Sequence, residues 1–417
     1  LVGFFFVIPL PFLQTLSMGL STLPTTETTA VYSGVIAYVW MLAIIFLSTR
    51  PHWLDRLIGL PNMYQLHGIL AIAALVLAWL HKLGTSSGGL IKQTGDLALI
   101  IFTTLMVYSL FFLAGWLTNR WQLINQFKIK LEKFFKHEIS IWLHRLNLIA
   151  VILVFIHVQL IDYITSITPF IILFDGLSLL TAISYLNTKF NWDQRQRVVR
   201  LVQNQALSYK VRELTLQGRQ LKKLDLRPGD FIFLSFPQLP KLREPHPFSL
   251  VTLPGQTSQL KLAIRADGDF TSLLAKVKKG ADVKITGGFG RYQQFLNENN
   301  QSANLIMITG GIGVTPLFSL IANNLSRNMY LFYSAHRQED LLYSKKLSDW
   351  QKLPQFTGYW KKGRFTDNFV IQHIPQNWEN NSLFLLSGPI PLIHHWEDIL
   401  SFYHIDAKNI FKEEFNW

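Results

Sequence analysis

The chain has 417 residues, 49% of them hydrophobic and 16% charged, with a formal net charge of +13; that length holds two or three domains with their own cores. Its Lys and Arg residues are dispersed and carry no base-reading or RNA-binding motif, so the charge does not point to nucleic acid. With no cysteine, disulfides, zinc–thiolate sites, cysteine-ligated iron–sulfur clusters and covalent c-type haem attachment are excluded.

Apolar residues concentrate in residues 1–187, in runs such as 71–80 and 97–115. At ~20 residues per span, six helices are expected near 1–20, 29–48, 63–83, 96–116, 140–162 and 166–187. The opening stretch lacks a basic n-region and a small-residue cleavage site and reads as a span, and the missing initiator Met suggests trimming. Basic residues gather in the second connection (Arg50, Arg56) and the fourth (Arg120, Lys128, Lys130, Lys133, Lys136). The positive-inside rule then places both termini and the polar half in the cytoplasm of a multi-pass cell-membrane protein.

Four histidines fall at membrane depth: His67 and His81 in the third span, His144 and His157 in the fifth. Ionisable groups in lipid are costly and mark function. Separations of 14 and 13 residues put the members of each pair ~20 Å apart along a helix. The two spans run the same way, so His67 lies level with His144 and His81 with His157. Each level can clamp one iron between two imidazoles, giving two b-type haems. The spacings do not match in rotation: 14 residues return to within ~40° of the starting face, whereas 13 end ~140° from it. His137 and His52, the latter beside Trp53, read as interfacial, and Arg145 as a propionate partner or a membrane anchor.

From about residue 188 short alternating segments (208–215, 231–236, 260–266) predict an antiparallel β-barrel to about residue 300. Within it His246-Pro247-Phe248-Ser249 combines a rigid backbone, an aromatic face and a hydroxyl, which a flavin ring needs. Arg265 and Thr271 precede a helix start and suit a pyrophosphate clamp, and Gly287-Gly288-Phe289-Gly290 makes a turn that lets backbone approach a ligand. Residues 301–417 alternate apolar strands with helices, the pattern of parallel βαβ units in a Rossmann-like α/β domain. Gly310-Gly311-Ile312-Gly313-Val314-Thr315-Pro316 joins a strand to a helix and fits a nucleotide phosphate loop. Arg337 stands after the next strand where an acidic residue would bind a ribose hydroxyl, which favours NADPH over NADH. Ser387-Gly388-Pro389 ends a later strand where nicotinamide could lie.

In this order, these motifs resemble the NADPH oxidase and ferric reductase superfamily over essentially the whole chain. The histidine quartet matches the family's bis-histidine pattern, and the His246–Ser249 segment its flavin motif, with Ser249 where Thr is common. Arg265 and Thr271 fall on its FAD pyrophosphate motif, and Gly310–Pro316 on its nucleotide loop. Ser387 replaces the usual Cys of Cys-Gly-Pro, and Trp417 takes the place of the terminal aromatic that stacks on flavin. Short loops and the absence of a calcium-binding loop make the chain most similar to bacterial, streptococcal-type members. The resemblance implies a constitutively active, superoxide-generating enzyme with FAD, two haem b and NADPH. Dioxygen would be its acceptor, lipid its surroundings, and no protein partner obligatory. A ferric or other metalloreductase, or a membrane electron-donor subunit, would use the same cofactor chain. A proton-relaying transporter is a third class, and it leaves the flavin and nucleotide motifs without purpose.

Overall fold

The computed structural model describes residues 2–20, 25–112, 142–190, 196–254, 258–375, 378–379 and 381–414. It divides into two compact units, Leu1–Pro51 with Pro61–Asn191 and His52–Leu60 with Trp192–Trp417.

The first unit is helical. Among the described residues, five helices are long and apolar enough to cross a membrane: Glu27–Ser48, Leu60–Gly84, Gly89–Leu110, Trp142–Gln159 and Thr168–Phe190. The first expected span differs. It is two short helices, α1 (Val2–Val7) and α2 (Leu10–Ser17), because Pro9 and Pro11 cannot continue an α-helical ladder from the turn before them. Next come α3 (Thr25–Ser48), α4 (His52–Ile58), α5 (Leu60–Gly84), α6 (Gly89–Phe112), α7 (Asn147–Gln159) and α8 (Thr168–Phe190). Aromatic packing joins α3 to α8, where Tyr38 stacks on Phe174 at 4.6 Å and bonds Ser178 at 3.0 Å. Side chains such as Ile100, Val107, Ile152 and Leu179 face outward and exposed, as a lipid-facing surface requires.

Although α4 lies between α3 and α5 in sequence, it belongs to the second unit. Arg56 makes a two-pronged ion pair with Asp230 (2.7 and 2.8 Å) and donates to the carbonyls of Asp225 (2.7 Å) and Gly290 (2.9 Å). Asp55 accepts from the Gly290 amide at 3.2 Å, and His52 Nε2 bonds the Gly288 carbonyl at 2.8 Å. His52, expected beside Trp53 to be interfacial, makes this contact within the second unit. Gly59, at φ +83°, ends α4 by donating to the Asp55 carbonyl, a left-handed stop that glycine allows.

The rest of the second unit holds two sheets. One is six-stranded and antiparallel, in the order β4-β3-β6-β1-β2-β5, built from β1 (Arg197–Ala206), β2 (Val211–Gln217), β3 (Phe231–Ser235), β4 (His246–Ser249), β5 (Gln259–Arg265) and β6 (Asp282–Phe289). The expected barrel does not close. Edge strands β4 and β5 share an isolated bridge, Leu250 with Leu262, in place of a ladder. Pro247, which has no N–H to donate, sits in four-residue β4 and confines it to an edge.

The other sheet is parallel, in the order β11-β10-β7-β8-β9, from β7 (Asn304–Gly310), β8 (Met329–Ala335), β9 (Phe356–Lys362), β10 (Ser382–Gly388) and β11 (Ile410–Glu414). Alternate residues of its continuous apolar runs enter different cores. Leu305, Met307 and Leu385 pack in one, and Ile306, Ile308 and Phe384 in another. Burial of both faces is why these strands read as unbroken apolar runs.

Removing Arg56 strands a buried carboxylate, since Asp230 is 1% exposed. Arg56→Ala should destabilise the second unit by about 3–5 kcal/mol, read as a lower urea midpoint in its tryptophan fluorescence. A loss under ~1 kcal/mol would mean the pair behaves as a surface contact.

Candidate functional site

His67, His81, His144 and His157 form two facing pairs. The rings of His67 and His144 are 6.0 Å apart, and those of His81 and His157 6.2 Å apart. Each Nδ1 is already engaged. His67 donates to the Ile44 carbonyl (3.2 Å), His81 to Ala30 (2.9 Å) and His157 to Ile91 (2.8 Å), and His144 bonds the Ser109 hydroxyl (3.1 Å). An Nδ1 that donates to a carbonyl leaves a lone pair on Nε2, the second-shell arrangement of metal-bound imidazoles. With metal–nitrogen bonds of ~2.0 Å and about 1.1 Å from nitrogen to ring centre, two axial imidazoles put their centroids ~6 Å apart. Both pairs fit that distance. Close packing fixes the rings as well: a Cβ on Gly34 would lie 2.7 Å from His81 Nδ1, and one on Gly95 3.1 Å from the His157 ring.

The helix that carries His144 and His157 is interrupted by a turn at 145–146. Between Trp142 and Ile149 the backbone closes i→i−3 bonds at Arg145, Leu146, Leu148 and Ile149. A 3₁₀ turn winds 120° and rises ~2.0 Å per residue. Residues wound this way turn further than α-helical ones, which lessens the ~140° offset of the 13-residue spacing. Arg145, in that stretch, lies over the Trp142 ring at 5.1 Å. His137 lies outside the described residues.

In the second unit, His246, Pro247, Phe248 and Ser249 form β4, paired with β3. Phe270, without an expected role, organises this edge: its ring lies 4.2 Å from that of His246 and stacks on Phe248 at 5.9 Å. Thr271 Oγ1 accepts from the amides of Asp267 (2.9 Å) and Gly268 (3.1 Å), which fixes the turn into the helix Asp269–Leu273, and Arg265 pairs with Asp267. Gly288 serves a different purpose from the one expected. A Cβ there would lie 2.3 Å from the Asp225 carbonyl and 3.2 Å from Arg56, so what approaches the turn is the chain itself.

The glycine loop follows β7 and opens the helix Val314–Ala322. It meets the end of β10 at the point where the strand order reverses, the usual ligand position in open α/β sheets. Gly311, at φ +58°, has nothing within 4 Å of a Cβ, whereas a Cβ on Gly313 would strike Gly388 at 2.6 Å. Gly310 faces Pro389 and Leu392. Thr315 donates to the Ile312 carbonyl at 2.8 Å, and Pro316 is buried in the helix. Ser387 is fully buried and donates to the Gly313 carbonyl at 2.7 Å. Arg337 stands exposed beyond β8 beside Glu339 (3.3 Å). Trp417 lies outside the described residues.

Glu413 was not anticipated. It pairs in register with Ser387, is 6% exposed, and its Oε2 has no hydrogen-bond partner among the described residues. Burial pushes its carboxyl up to about 8, with the carboxylates of Asp230 and Asp55 adding to the effect, and the buried Tyr292 phenol faces it. The run Lys412-Glu413-Glu414 reads as a solvated charge cluster, so no sequence signal marks Glu413 as buried.

Comparison with known proteins covers the second unit. Residues 199–311 match an FAD-binding domain family and residues 307–398 an oxidoreductase NAD-binding domain family. The electron transfer subunit of dihydroorotate dehydrogenase B (NAD(+)) from Lysinibacillus sphaericus is 26% identical over 203 residues, 48% of this chain and 76% of that protein. NADH-cytochrome b5 reductase 1 of Cryptococcus neoformans is 25% identical over 116 residues; the match covers 27% of this chain and 36% of that protein. Among solved structures, the cytochrome b5 reductase domain of Ulva prolifera nitrate reductase aligns with 53% of this chain and 97% of its own, at 14% identity and a TM-score of 0.45. The second unit thus carries the FAD- and NAD(P)-binding domains of an electron-transfer oxidoreductase.

A carboxyl raised in the folded state stays protonated there while the unfolded chain ionises, so it lowers stability as pH rises from the ordinary carboxylate range to about 8. Glu413→Gln should flatten that fall, measured by urea unfolding at pH 5 and pH 8. Equal losses in parent and variant would show that Glu413 is ionised throughout.

Proposed function

We propose that the chain transfers electrons from cytoplasmic NADPH through FAD and two b-type haems, across the cell membrane, to dioxygen, releasing superoxide outside. This is the activity of an NADPH oxidase in the superfamily that includes the ferric reductases, of the streptococcal type. The observation that carries the reading is the pair of facing imidazole couples, each with its Nδ1 atoms engaged, in a chain that also holds FAD- and NAD-binding oxidoreductase domains.

FAD supplies the conversion of a two-electron hydride donor into single electrons, which haem can carry. The chain's own residues bind and orient. The β4 edge and Phe270 offer the ring a wall, and Arg265 and Thr271 a pyrophosphate clamp. The Gly311 amide and the helix after it receive the nucleotide phosphates. Support for NADPH comes from Arg337 and from Lys361 and Lys362, which end the neighbouring β9. Ser387 lines the end of β10, where nicotinamide would lie. His67 and His144 hold the cytoplasmic-side haem, His81 and His157 the outer one.

Two measurements test this. His144→Ala should reduce bound haem from two per chain to one by pyridine haemochrome assay; retention of both would remove the histidine assignment. With NADPH and FAD, the purified protein should reduce cytochrome c in a way that superoxide dismutase abolishes. A dismutase-insensitive signal would transfer the assignment to a metalloreductase or a donor subunit.

A further inference from the structure

One apolar core runs from the antiparallel sheet into the nucleotide domain: Val211, Val251 and Ala263 pack in the same cluster as Val314, Leu317, Phe318, Leu341 and Leu342. A buried carboxylate bridges the same two parts. Glu213, on β2, is 1% exposed and accepts hydrogen bonds from Lys261 Nζ (2.8 Å), from Gln205 Nε2 (3.1 Å) and from the Tyr343 hydroxyl (2.6 Å). Tyr343 is itself unusual, a tyrosine at φ +56° and ψ +32°. That left-handed conformation is unfavourable for any residue with a bulky side chain, so its surroundings must hold it there. Its ring meets Phe318 edge-on at 4.9 Å, on the helix that follows the glycine loop.

The strained residue closes a short segment that starts one position after Arg337. Residues 338–340 form a 3₁₀ turn, and a second staple crosses to the antiparallel sheet here, from Ser208 Oγ to Asp340 Oδ1 at 2.7 Å. The Tyr333 hydroxyl ties the same segment to its own sheet, donating to the Asp340 carbonyl (2.7 Å) and accepting from the Leu342 amide (3.0 Å). Neither Glu213 nor Tyr343 belongs to the loops assigned to FAD or NADPH, yet a buried carboxylate is costly to keep.

We propose that Glu213 and Tyr343 are positioning residues for nucleotide selectivity: their hydrogen bond holds the segment after Arg337 in the shape that receives the 2′-phosphate of NADPH. The inference rests on the assignment of Arg337 to that phosphate. Without the bond, Tyr343 relaxes from its left-handed conformation, and the ordering of the loop must then be met by the incoming nucleotide. Ligands carrying the 2′-phosphate lose affinity, and NADH, which makes no use of Arg337, does not.

The test uses the full-length, FAD-loaded protein and two readouts: binding of adenosine 2′,5′-bisphosphate by calorimetry, and anaerobic flavin bleaching by NADPH and by NADH. Tyr343→Phe removes one oxygen atom. It should weaken the bisphosphate and NADPH roughly tenfold, as expected for one lost hydrogen bond to a charged group. NADH affinity, FAD content and the limiting bleaching rate should stay unchanged. Glu213→Gln, which keeps an acceptor for Tyr343, should retain most of the selectivity. In the Arg337→Ala background Tyr343→Phe should have no further effect, because the two act as one unit. Equal weakening of NADPH and NADH, additivity with Arg337→Ala, or no effect of Tyr343→Phe overturns the proposal. A parent protein that fails to bind the bisphosphate overturns both it and the Arg337 assignment. Bleaching by NADPH without haem reduction defeats only the transmembrane electron-transfer reading.

Discussion

The arrangement of the helical unit depends on one constraint, that an imidazole in an apolar bundle must find a partner for each nitrogen. Water is not available there, so an unmet polar group costs several kcal/mol. In three of the four histidines a backbone carbonyl takes the Nδ1 proton, and in His144 the Ser109 hydroxyl takes part. Carbonyls inside helices are normally occupied by their own ladder, so a neighbouring helix must come close enough for its carbonyl to accept a second bond. Glycine supplies that closeness at Gly34, beside His81, and at Gly95, beside His157. Helix spacing, glycine placement and ring orientation therefore follow from one requirement. Its result is two facing pairs of rings, each ring held through its Nδ1.

The second unit meets the same cost by pairing charge with charge. Arg56 faces Asp230, and Lys261 faces Glu213. Each pair joins segments that are distant in sequence: α4 to the loop before β3, and neighbouring strands whose carboxylate reaches across to Tyr343. Buried pairs of this kind add little net stability, but they penalise any arrangement that separates the partners. Glu413 is the exception. It has carboxylates for neighbours, and burial keeps it protonated well above the ordinary carboxylate range. It pairs in register with Ser387 at the end of β10.

Periodicity and motif order made much of this legible. Five apolar helices, the histidine levels and the strand–glycine–helix unit at Gly310–Pro316 follow from local pattern, and the structure has each of them. The failures share a cause. Pro9 and Pro11 divide the first expected span, since a hydropathy average does not register a missing N–H. Pro247 leaves the antiparallel sheet open for the same reason. A uniform 100° per residue does not describe the 13-residue spacing, since i→i−3 bonds interrupt the helix between Trp142 and Ile149. Contacts across more than a hundred residues, such as Arg56 with Asp230 or Glu213 with Tyr343, have no local signature.

Glycine shows this limit most clearly. The sequence says that something must pass close to Gly288, Gly310, Gly311 and Gly313, and it cannot say what. At Gly288 the intruder is the Asp225 carbonyl, at Gly310 the side chains of Leu392 and Pro389, and at Gly313 the backbone of Ser387 and Gly388. In these three places glycine lets the protein pack against itself. Gly311 alone of the four opens onto free space, with its backbone left-handed at φ +58° and the helix N-terminus directly after it. A phosphate attracted by that helix end has room at this amide and meets packed chain at the other three. The four glycines thus divide into one that opens onto free space at a helix N-terminus and three that let the chain pack against itself.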